Sequence, residues 1–105
     1  MKRKVMVNRS ERMDPKEFAL IRGKLERNLP VTSSEVRRYL YALQDQGAEA
    51  EKEISRLMMI NNASSIDELS VKLAKQPSNN WAEGLITIGL GALLAWAIMK
   101  LLDKD

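Results

Sequence analysis

The chain has 105 residues, enough for one small domain, and carries a formal charge of +3. It contains neither cysteine nor histidine. That composition excludes disulfides, thiolate metal sites and a cysteine nucleophile, and removes both the commonest metal ligand and the usual general base near neutral pH.

Residues 1–13 form a basic arm, with Lys2, Arg3, Lys4, Arg9 and Arg12 against Glu11 alone. Such a cluster can meet phosphate, on anionic lipid or nucleic acid, or simply solubilise a terminus. The "DPKE" that follows starts a helix: Asp14 is an N-cap, Pro15 suits the first helical position and Glu17 closes a capping box. Phe18, Ile21 and Leu25 then share a face, and "NLP" at 28–30 stops the helix.

A second start lies at "VTSSEV", where Thr32 and Glu35 form a capping box and Val31 can staple onto Val36. From there Val36, Leu40, Leu43, Gly47, Ala50, Ile54 and Leu57 are spaced alternately by four and three, a seam at heptad spacing. The spacing predicts one long helix packed within the chain or in a small bundle. A coiled coil and a split at "DQG" are the alternatives. A third start follows at "SSIDEL", with Ser65 and Glu68 as the box and Ile66, Leu69 and Leu73 as the apolar stripe. Residues 14–75 thus read as a helical soluble domain, and 76–80 as a linker broken by Pro77. So small a core is marginal by itself.

The tail, 81–105, differs in kind. Gly84 to Met99 carries no charge, and Gly84–Leu102 makes 19 residues, about 28 Å of helix. A bilayer core is about 30 Å thick. Trp81, Trp96 and Lys100 stand where membrane-interface anchors belong, and Glu83 meets the positive end of the helix dipole. The alternative, a core helix, requires the charged remainder of the chain to coat it. The expected fold is therefore all-α, two or three short amphipathic helices followed by a single C-terminal transmembrane helix. This describes a single-pass, tail-anchored membrane protein with its N-terminus in the cytoplasm. Glu83, Thr87, Gly91 and Ala95 recur every four residues, and this small-residue face predicts packing against another transmembrane helix.

A helical soluble part followed by "NNW" and "IGLGALL" resembles small bacterial tail-anchored proteins of the ElaB/YqjD type. Their anchors end in an arginine pair, where this chain has "KLLDKD". The resemblance implies an inner-membrane anchor beside ribosomes. No Gly-rich phosphate loop, zinc spacing or paired acid/base site is present in the sequence. The expected function is a non-enzymatic scaffold, adaptor or structural subunit of a membrane-associated assembly, with no cofactor and no small-molecule substrate. Its expected partners are the lipid bilayer, further copies of itself or another membrane protein, and anionic lipid or nucleic acid at the arm. A membrane-disrupting, lysis-type protein and a membrane tether for ribosome or nucleic acid are the alternative functions.

Overall fold

The computed structural model describes the backbone of residues 14–103 and the side chains of residues 14–94. Within them the chain forms five α-helices and one short 3-10 turn: α1 (Pro15–Glu26), α2 (Ser33–Gln44), α3 (Ala48–Ile60), α4 (Ile66–Ala74), the turn Ser78–Asn80, and α5 (Glu83–Asp103). The basic arm, Lys2, Arg3, Lys4, Arg9 and Arg12, lies outside the described residues.

The helices α1, α2 and α4 each begin where a side chain can satisfy a free amide. Asp14 accepts from the Lys16 amide at the start of α1, while the Glu17 carboxylate reaches across to Arg38 on α2, 2.8 Å away. The capping box of α2 is complete. The Glu35 amide donates to Thr32 Oγ1 at 3.1 Å, and the Thr32 amide donates to Glu35 Oε1 at 3.0 Å. Glu35 also receives Lys24 of α1 at 2.7 Å. That lysine hydrogen bond, with the Thr32 bonds, outweighs partial burial and holds the Glu35 carboxyl below its ordinary value. At α4, Ser65 accepts from the Glu68 amide, but the Glu68 carboxylate reaches one residue further back, to the amide and hydroxyl of Ser64.

The seam predicted as one helix is broken. Gly47 adopts φ 126°, a conformation that side chains strongly resist, and separates α2 from α3. Val36, Leu40, Leu43, Ile54 and Leu57 are all buried, on two helices rather than one. The four-three spacing keeps its phase because both helices face the same core. That core gathers Phe18, Ile21 and Leu25 from α1, the seam residues, and Ile66, Leu69 and Leu73 from α4, and α2 packs most extensively on α4. Lys72 of α4 ties the end of α3 in place by donating to the Asn61 and Asn62 carbonyls, at 3.1 and 3.0 Å.

The transmembrane expectation is overturned. Among the described residues no helix is long and apolar enough to cross a membrane. A single-pass, tail-anchored arrangement falls with it, and so does membrane localisation with a cytoplasmic N-terminus. The physical reason lies in α5. Its first half is seated in the bundle, with Trp81, Ala82, Leu85 and Ala92 buried and Ile86, Ile88 and Leu93 partly so. The charged helices do not coat every face of α5. They cover one, and that is enough to bind it.

Candidate interaction surface on the last helix

The entry to α5 is fixed by the turn before it. The Asn79 amide donates to Asn28 Oδ1 at 3.1 Å, tying the turn to the end of α1, and Ser78 is buried beneath it. Trp81, expected as an interface anchor, is only 5 % exposed and belongs to the core. The side chains of Trp96 and Lys100 lie outside those described.

Along α5, Ala82, Leu85, Gly89 and Ala92 turn inward, spaced three, four and three. At Gly89 side chains from α1 and α2 press against α5. A Cβ there would overlap the Tyr39 hydroxyl and sit 3.2 Å from the Phe18 ring. Tyr39 stacks on Phe18, ring centroids 4.2 Å apart, and its hydroxyl donates to the Leu85 carbonyl at 3.1 Å. Burial pushes the Tyr39 phenol well above its ordinary value. Glycine at 89 is thus what lets a tyrosine from α2 reach the backbone of α5.

One turn nearer the N-terminus, Gly84 leaves room for the Glu53 carboxylate of α3. A Cβ there would lie 2.8 Å from Glu53 Oε2. That places a negative group at the first turn of α5, where the helix dipole favours it. Arg56 holds the same carboxylate through Nε at 3.1 Å and Nη2 at 2.5 Å. A groove of about 470 Å³ opens here, lined in part by Asn79, Asn80, Glu83 and Thr87. Its one guanidinium is engaged with Glu53. The Trp81 Nε1 beside it has no hydrogen-bond partner among the described residues, but it is shielded from solvent rather than presented to the groove. Among the described residues no group of three or more acidic side chains is placed to hold a metal ion.

The outward face of α5 is a different surface. Glu83, Thr87, Leu90, Gly91 and Leu94 point away from the bundle. Leu90 is 48 % and Leu94 60 % exposed. The Thr87 hydroxyl is turned back onto its own helix, donating to the Glu83 carbonyl at 3.2 Å. Gly91 has open space where a side chain would be. Three members of the small-residue stripe, Glu83, Thr87 and Gly91, therefore lie on this free face, while the side chain of Ala95 lies outside those described. A second exposed pair, Met59 and Ile60, closes α3. Because Gly91 touches nothing, Gly91→Ala is expected to raise stability by about 0.5–1 kcal/mol through helix propensity alone, read as a higher denaturation midpoint.

The inward residues Gly89, Leu85 and Tyr39 were not singled out by sequence. A signal existed in the three-four-three series Ala82, Leu85, Gly89, Ala92, which marks a face as clearly as the four-residue stripe does. Comparison with known proteins finds no match to this chain among family models, curated proteins or solved structures.

Proposed function

We propose that the protein is a non-enzymatic assembly module, a scaffold or structural subunit whose copies join through the outward face of α5. The observation that supports this most directly is the pair Leu90 and Leu94, one turn apart and exposed beside the bare backbone of Gly91. The pair forms a ridge and the glycine a notch, which is the geometry helices use to interlock. Tyr39 and the core already hold this part of α5 in place, so docking here orders little further chain. Covering a fully exposed leucine contributes about 1.5–3 kcal/mol, and a half-exposed one proportionately less.

Sedimentation equilibrium of the full chain tests the reading. The wild-type mass is expected to rise with concentration. Leu94→Lys should raise the dissociation constant about tenfold or more, since two copies of the leucine leave the interface. Met59→Lys, on another exposed apolar pair, should leave it unchanged. A wild-type chain that stays a monomer to millimolar concentration, or a Leu94→Lys chain that assembles equally well, would falsify the proposal.

A further inference from the structure

Charge is unevenly divided along the chain. Residues 1–27 hold nine of the 17 lysines and arginines and four of the 14 acids, a balance of +5, while the remainder stands at −2. Such asymmetry points to a polyanionic partner. The described part of that stretch is α1, and its side chains show where the charge is presented.

The acids of α1 are already answered. Glu17 is held by Arg38 at 2.8 Å, and Glu26 by Arg22 at 2.6 Å. Asp14, just before the helix, accepts from the Lys16 amide. Lys24 is taken by Glu35. That leaves Lys16 and Arg27, both exposed and neither in an ion pair among the described residues.

These two cations share a face. Lys16, Leu20, Gly23 and Arg27 are spaced four, three and four, opposite the buried Phe18, Ile21 and Leu25. Eleven residues set Lys16 and Arg27 about 16 Å apart along the axis. Between them Gly23 has open space where a side chain would be, and Leu20, 70 % exposed, is the one bulky apolar group. Among the described residues the acids without a cationic partner, Asp45, Glu49, Glu51, Asp67 and Glu83, all stand outside α1.

A phosphate backbone laid along this face therefore meets two cations and no free carboxylate of α1. A membrane-surface helix would turn its apolar face to lipid, but that of α1 is buried in the bundle. A ligand held by phosphate contacts alone suits it better. We infer that the outward face of α1 binds the sugar–phosphate backbone of nucleic acid, with Lys16 and Arg27 as its phosphate contacts. Binding is by charge, without readout of bases. Lys2, Arg3, Lys4, Arg9 and Arg12 precede α1 in the sequence and raise the charge that attracts a polyanion to this part of the chain. The site does not depend on self-association through α5.

Fluorescence anisotropy of the full chain with short labelled RNA and DNA oligonucleotides of mixed sequence, over a range of salt, tests this. The wild type is expected to bind both, with affinity falling steeply as salt rises. Lys16→Gln with Arg27→Gln should weaken binding tenfold or more at low salt and lower the salt slope by about two. Lys52→Gln with Lys75→Gln is the matched control. It removes the same charge from exposed lysines outside α1 that also lack ion pairs among the described residues, and should change the slope little. Equal losses from both pairs would mean that net charge alone attracts the ligand, and would overturn the face. Unchanged binding by the α1 variant, or a wild type that binds neither oligonucleotide, would overturn it too. Retention on anionic phospholipid vesicles without oligonucleotide binding would overturn it in favour of a lipid surface.

Discussion

Gly89→Ala is expected to lower stability by about 2–4 kcal/mol, although alanine is ordinarily the better helix former by about 1 kcal/mol. The new methyl would occupy the position of the Tyr39 hydroxyl, which must then give up its hydrogen bond to the Leu85 carbonyl. The Phe18 ring, 3.2 Å away and stacked on Tyr39, limits how the tyrosine can give way. The cause is checked by a double-mutant cycle in urea. Tyr39→Phe alone removes one hydrogen bond, costing about 1 kcal/mol. In its background Gly89→Ala should recover most of its loss, because the colliding oxygen is gone. Additive losses would show that the clash lies elsewhere. Gly84→Ala provides the contrast: its neighbour is the flexible end of Glu53, so the change should be nearly neutral.

Leu40→Asp should abolish cooperative unfolding altogether. Leu40 is fully buried in the hydrophobic core, where a carboxylate would be stripped of its water. The cost exceeds about 4–5 kcal/mol, comparable to the whole stability of a small domain. Arg37→Ala, three residues earlier on the same helix and exposed, should change stability by no more than about 0.5 kcal/mol. Thermal melts followed by circular dichroism separate the two. Similar melts for both variants would mean that α2 does not organise the core.

Local chemistry was legible. The caps at Asp14, Thr32 and Ser65 act at the helix starts where their residue types predicted, because a cap needs only its own next few amides. The apolar positions of α1, α2, α3 and α4 were legible for the same reason. Gly47 was weighed as a break and not chosen, because a seam shared by two helices around one core keeps the spacing of a single helix. The tail was misread. An uncharged run suits lipid or protein equally, and what decides here is a hydroxyl from Tyr39 entering at Gly89, fifty residues away in sequence. No local pattern encodes that fit. For the candidate surface, Gly91 and Thr87 were visible as a small-residue stripe. Leu90 and Leu94 gained their meaning only once the opposite face was seen to be occupied.

The buried phenol of Tyr39 also provides a clock. Its raised pKa means that the folded chain keeps a proton which the unfolded chain releases near pH 10. The associated stability is fully present below that pH and fades as pH rises above it toward the folded value. After a rapid jump to alkaline pH, tyrosinate absorbance from Tyr39 can grow only as fast as α5 lifts away from α2. The slow phase of that absorbance would thus time how often the last helix comes loose.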